Sequence, residues 1–374
     1  MKRLALLLVS CLLADAALYF GLRRLDSSRL FYDRSNISQH QLDYWLATSY
    51  DPELGWDVPA DSKNNLGAAR RPDYPPAQRY KIKAFGDSFV FGSDVADSDA
   101  WPAQVERYKD WTCLNFGVPG YGPDQALLKY RRTAVPTEVT ILGIQQENIG
   151  RLVNIYRAFY MGPWGPTKPR FFLDGGGLRL HSNPIPRPED AGRLLDPAFV
   201  DSLRRLDYWP AYNEQVLGAP RRLSWPASWL VLRHAPFLLD RAWIETHSRL
   251  RPAWHYELRR FRPYHLYDES SEAFQILIRV IDEFTRLCAG RGERPLVLFF
   301  PLRHTVEMMR TYNRCVYEPL QRRLRDRDIP HIDFGPIFAR EDFPRYYNPA
   351  EGSGHFTVAG NERVAREVIH YLAR

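Results

Sequence analysis

The chain reads as an α/β protein: a three-layer sandwich around a central parallel sheet, with a large insertion and an apolar N-terminal helix. Three observations predict this. From residue 80 onward, short apolar runs alternate with segments whose apolar residues fall at helical spacing, the pattern of parallel strands joined by crossover helices. The alternation stops near residue 152 and resumes near residue 270, which marks an insertion. Ahead of it all, the stretch from Leu4 to Leu22 is apolar apart from Asp15 and is flanked by Lys2-Arg3 and Arg23-Arg24.

The N-terminal stretch is near the lower limit for a spanning helix, about 17 residues. We read residues 1–25 as an uncleaved signal anchor, with Lys2 and Arg3 favouring a cytoplasmic N-terminus. This predicts a single-pass protein of the cell inner membrane with its catalytic domain on the periplasmic, extracytoplasmic side. Competing readings are a cleaved signal peptide with small residues near Ala14-Asp15-Ala16, a lipoprotein box at Leu8-Val9-Ser10-Cys11, and a buried helix. The apolar continuation past Cys11 disfavours a lipoprotein. Residues 26–79 are polar and carry several prolines, and predict a stalk followed by a segment wrapping the domain at 80–374.

Within that domain, strands are expected at 80–85, 112–116, 138–144, 296–300 and 331–334. Helices are expected at 100–107, 124–132, 271–287 and 358–372, and over 305–325 with a break at Pro319. The 152–268 insertion, rich in Trp, Tyr, Pro and Arg, contains a hairpin about Gly175-Gly176-Gly177. It is either a lid or binding subdomain, or a packing insert. Its aromatics, such as Tyr156, Phe159, Tyr160 and Trp164, either stack on sugars or form the insertion's own core.

Composition narrows the function. Hydrophobic residues at 45% and aromatics at 14% are ample for a core, so general disorder is excluded. The formal net charge of +7 comes from arginines spread along the chain, including Arg221-Arg222, Arg259-Arg260 and the run from Arg322 to Arg327. No nucleic-acid module accompanies them; they imply a solvated basic surface or attraction to an anionic glycan or membrane. Cys11, Cys113, Cys288 and Cys315 show no CxxC spacing, so no metal site is expected, and no cofactor either. Cys113 and Cys288 read as buried thiols.

In such sheets, sites lie beyond the carboxyl ends of the strands. The first strand ends in Gly86-Asp87-Ser88-Phe89, which presents a hydroxyl there. Gly117 and Gly120 follow the second strand. Gln145, Gln146, Glu147 and Asn148 follow the third. His355 precedes the last helix. Acyl transfer requires a nucleophile, a base and donors for an oxyanion, and this set supplies all three. Asp87 reads as an acceptor ordering its own turn. Arg151 either binds a substrate carboxylate or pairs with Glu147.

The order serine, glycine, asparagine, histidine resembles the SGNH/GDSL hydrolases. Gly86-Asp87-Ser88-Phe89 resembles their first block. The stretch Asn115 to Gly122 resembles the second, Leu142 to Asn148 the third, and Gly354-His355-Phe356 the fifth. The likeness spans 80–151 and 270–374. It implies a flavodoxin-like SGNH fold, a serine nucleophile at Ser88 and a base at His355. It also implies an oxyanion hole built from the Ser88 and Gly120 backbone N–H groups and the Asn148 side chain.

Two departures stand out. Ile149 follows Asn148 where aspartate is usual. More seriously, the aspartate expected two or three positions before the histidine is replaced by Ser353 and Gly352. Glu351 is the nearest carboxylate. The alternatives are Glu351 as the third member, a Ser–His dyad oriented by a backbone carbonyl, or loss of catalysis. The resemblance is closest to SGNH proteins that add or remove acetyl groups on cell-envelope polysaccharides. It implies an esterase or O-acyltransferase acting on an ester or acetylated glycan. The rivals are a lipid esterase and a catalytically weak scaffold that binds glycan or assembles with envelope machinery.

Overall fold

The computed structural model describes residues 2–24, 31–33, 35, 37–69, 73–160, 166–250, 263–349 and 354–374. The chain divides into two units. One comprises 46–153, 168–186 and 259–374; the other comprises 1–45, 154–167 and 187–258. The 152–268 insertion is therefore not one body. Its 168–186 portion, with the antiparallel hairpin Arg170–Asp174 and Gly177–His181, belongs with the sheet, and most of the remainder groups with the N-terminal helix.

The larger unit holds one parallel sheet built from β1 (Tyr80–Phe85), β2 (Cys113–Asn115), β3 (Thr137–Gln145), β4 (Arg294–Phe300) and β5 (His331–Asp333). The spatial order is β2-β1-β3-β4-β5, with Ala84 beside Asn115, Phe85 beside Leu142 and Leu142 beside Val297. This is the flavodoxin-like doubly wound order, and its direction reverses between β1 and β3. The parallel α/β architecture matches the expectation from sequence.

Both faces are covered because alternate side chains along each strand point opposite ways. Ile82, Ala84, Val139, Ile141, Leu296 and Leu298 share one buried cluster with α3 (Trp101–Lys109) and α10 (Val358–Leu372). On the other face Phe85 meets Tyr130 of α4 (Pro123–Arg132), which meets Phe284 of α7 (Glu272–Gly290).

Lys83 also points to this second face and is fully buried. Its ammonium lies 2.8 Å from Glu293, whose carboxylate also accepts from Tyr130 and Thr140 hydroxyls at 2.8 and 2.6 Å. Burial opposes ionisation of Glu293, but Lys83 and the two hydroxyls outweigh it and hold the carboxyl below its usual range. A strand that looks like a plain apolar run thus carries a charge that three donors around one carboxylate make tolerable.

Two expectations from sequence shift. The 305–325 segment forms α8 (Arg303–Tyr312) and α9 (Glu318–Asp326). The break falls at Asn313, whose φ of 50° caps α8, and Pro319 opens the next helix, where its missing N–H is harmless. The 46–69 segment docks on the sheet unit: Gln125 donates to Leu54 O at 2.8 Å, Tyr121 to Trp56 O at 2.6 Å and Lys129 to Asp57 at 2.5 Å. All four cysteines are free, and Cys113 and Cys288 are buried.

The second unit contains α1 (Lys2–Arg24) together with α5 (Ala227–Arg233) and α6 (Ala235–Leu250). Leu6–Arg24 is long and apolar enough to cross a membrane. Asp33, between α1 and the helices, is clamped by Arg204, Arg221 and Arg222. Tyr156 and Phe159 are buried against each other, and Tyr160 stacks on the buried Trp209 at 4.5 Å. These aromatics are this unit's own core rather than an open sugar platform. Trp164, Arg259 and Arg260 lie outside the described residues.

Candidate active site

Ser88 is the first residue of α2 (Ser88–Phe91), a single turn that starts directly after β1. Asp87 caps that turn by accepting from Phe89 N–H at 2.9 Å. Gly92, at φ 80°, closes it in the left-handed region. The turn presses against the sheet edge. A Cβ on Gly86 would come within 2.6 Å of Gly143 O, and one on Gly117 within 2.3 Å of Phe91 N. Glycines at these strand ends let backbone pack on backbone, which fixes where Ser88 stands.

Ser88 Oγ lies 3.0 Å from His355 Nε2. His355 Nδ1 in turn lies 3.0 Å from Asp94 Oδ2. The Asp94 contact assigns the Nδ1 proton, leaving Nε2 as the acceptor that faces the serine. Further contacts fix His355 in ring and backbone. Phe89 meets its ring edge-on at 5.4 Å, and Asn348 N–H donates to His355 O at 2.8 Å. A serine hydroxyl, an imidazole and a carboxylate thus stand in line, the arrangement that acyl transfer requires.

Asp94 is the residue that sequence reasoning missed. It sits in the turn after α2, six positions past the serine, at φ 69°. Aspartate is among the few side chains that tolerate this conformation. The sequence signal was Gly92-Ser93-Asp94, a turn carrying an acid directly after the nucleophile helix. Glu351 lies outside the described residues. The partner of Nδ1 is thus a carboxylate from the opposite end of the domain sequence, in place of the backbone carbonyl that a dyad would use.

The oxyanion donors need revision. Ser88 N–H, at the start of its helix, has no acceptor among the described residues. Gly120 lies at φ 86° in the turn after β2, the strand beside β1. Asn148 is engaged elsewhere. Its amide donates to Asp87 Oδ2 at 2.9 Å and to Tyr121 O at 3.2 Å, so both N–H bonds are spent, while its oxygen accepts from Gln145 N–H.

Arg151, expected to bind a substrate carboxylate or pair with Glu147, forms its ion pair with Asp87. Its guanidinium is 3.2 Å from Asp87 Oδ2 and 2.7 Å from Tyr121 O, and its side chain is buried. Burial pushes the Asp87 carboxyl up, against the pull of Arg151 and the Phe89 N–H. Asp87, Asn148 and Arg151 therefore form a buried brace joining the serine turn to the turn after β3. No cluster of three or more His, Cys, Asp or Glu suited to a metal occurs among the described residues.

No family model and no curated protein matches the chain. Among solved structures it is similar to a putative lipolytic protein of the G-D-S-L family from Desulfitobacterium hafniense DCB-2, at 10% identity and TM-score 0.35 over 78% of this chain and 99% of that one. It is likewise similar to a lipolytic protein of the G-D-S-L family from Veillonella parvula DSM 2008, at 11% identity and TM-score 0.37 over 79% and 98%. A third likeness is to an alpha/beta hydrolase enzyme from the metagenome of Lake Arreo, Spain, at 12% identity and TM-score 0.36 over 79% and 95%.

Proposed function

We propose that the protein is a membrane-tethered serine esterase or O-acyltransferase that works through an acyl-enzyme on Ser88. The observation that carries this reading is the relay of two 3.0 Å contacts from Ser88 through His355 to Asp94. In the first half-reaction His355 Nε2 takes the Ser88 proton as Oγ attacks an ester carbonyl. Asp94 stabilises the imidazolium that forms. The Ser88 N–H, with the Gly120 N–H as its proposed companion, receives the oxyanion. His355 then returns the proton to the leaving alcohol. In the second half-reaction it deprotonates water or a sugar hydroxyl, which takes the acyl group.

An acetylated envelope glycan is the substrate class we favour. The net charge of +7 suits an anionic polymer, and the apolar Leu6–Arg24 helix suits a site at the inner membrane facing outward. The test uses full-length protein in detergent with p-nitrophenyl acetate, with and without polysaccharide acceptor. Serine-dependent turnover, labelling of Ser88 by a fluorophosphonate, and acetylated glycan in the acceptor arm are expected. Wild-type turnover no greater than that of Ser88→Ala, together with no labelling, would sink the reading.

A further inference from the structure

Asp15 is the one charge inside the apolar stretch of α1, and it is buried. Its two carboxylate oxygens accept the backbone N–H groups of Ala227 and Ser228, at 3.0 and 2.7 Å, at the first turn of α5. Tyr19 meets Trp225 edge-on just ahead of that turn. The α5 helix therefore starts level with Asp15 and Tyr19. Asp15 lies nine residues, about 14 Å, before the end of α1. A helix hung there begins inside the depth that α1 would span, not beyond it.

The outward face of α5 and α6 matches that depth. Trp225, Trp229, Leu232, Leu239, Trp243 and Leu250 are all exposed, with Trp229 at 61%, Leu239 at 71% and Trp243 at 59%. Pro236 and Thr246 complete the row, so successive positions are four and three residues apart, one continuous stripe along nearly continuous helix. A second stripe, Ala227, Leu230, Phe237 and Ile244, faces inward and is buried. A soluble surface helix needs only the inward stripe. The outward one is apolar and tryptophan-rich, and Leu12, Leu13 and Leu18 of α1 are exposed as well.

We propose that α5 and α6 are a second membrane element, lying in the bilayer with the outward stripe against lipid beside the inserted α1. The inference rests on α1 being inserted. Each feature then explains the other. An aspartate in hydrocarbon requires internal donors, and the first turn of a helix in hydrocarbon requires acceptors for its N–H groups. Asp15 and α5 satisfy one another.

The test places single spin labels on full-length protein, with Cys11→Ser, in nanodiscs of phosphatidylcholine and phosphatidylglycerol. Labels go at Leu239→Cys on the stripe, Leu8→Cys on α1 and Val216→Cys, which is exposed off the stripe. Expected is a several-fold preference for oxygen over an aqueous nickel chelate at Leu239 and Leu8, and the reverse at Val216. Nickel access at Leu239 equal to that at Val216, with Leu8 still in lipid, would overturn the proposal while leaving the anchor standing. Dipolar coupling between Leu239 labels would overturn it in favour of a second copy of the chain. Aqueous access at Leu8 would remove both. Should the labelled variants misfold, quenching of native tryptophan by brominated lipid is read instead. It should be strong, and mostly lost with Trp225, Trp229 and Trp243 changed to Phe; unchanged quenching in that variant overturns the proposal.

Discussion

Ser88 and Asp94 flank one helical turn, and His355 reaches back to both from 261 positions beyond Asp94. Each should be separable by substitution. Ser88→Ala is expected to abolish turnover, by about 10⁴-fold or more in kcat. Asp94→Asn keeps the shape but no longer selects the Nδ1–H tautomer, and a fall of roughly 10³–10⁴-fold in kcat with little change in KM is expected. Glu351→Gln should stay within about twofold of wild type, since the Nδ1 position is already taken. Steady-state kinetics on p-nitrophenyl acetate checks all three. A strong loss in Glu351→Gln alone would return the orienting role to that residue. Asn148 belongs to the brace around Asp87. Asn148→Ala should therefore lower thermal stability as well as kcat, whereas loss of a pure oxyanion donor would lower kcat by about 2.7–4 kcal/mol of barrier and leave Tm alone.

At the scale of elements, each of the two units contains an ionic cluster about a single carboxylate. Glu293 ties β1, β3 and α4 by accepting from Lys83, Thr140 and Tyr130. Glu293→Ala leaves a buried ammonium without its anion, and a loss of about 3–5 kcal/mol is expected in denaturant unfolding. Asp33 works in the other unit. Burial opposes its ionisation, yet Ser35 and Arg221 bring its carboxyl down to about 2. Its folded pKa lies below the ordinary value, so the stabilisation is full above about pH 4 and is lost as pH falls toward 2. Wild type should lose roughly 2 kcal/mol more than Asp33→Asn over that window, read from unfolding curves at stepped pH.

For the whole molecule, the prediction concerns where it resides. Full-length protein should remain in the membrane pellet after alkaline carbonate washing, and protease added outside spheroplasts should digest the sheet unit. Protection from that protease would reverse the proposed orientation. Breaking the tie between α1 and α5 by Asp15→Ala should lower the melting temperature, because two first-turn N–H groups lose their acceptor.

Much of this was legible along the chain, for a physical reason. Strand and helix periods are local, so the alternation from residue 80 onward predicted a parallel sheet with helices on both faces. The turns after β1, β2 and β3 and before α10 brought forward Ser88, Gly120, Asn148 and His355 as candidates. Residue type and spacing alone also marked Leu4 to Leu22 as apolar with one misplaced acid. What spacing does not carry is which side chain meets which across the fold. Asp94 beside His355, Asn148 and Arg151 turned onto Asp87, and Asp15 beneath α5 are contacts between distant segments. Each is set by how the strand ends and helices close on one another in three dimensions, and only the tertiary structure decided them.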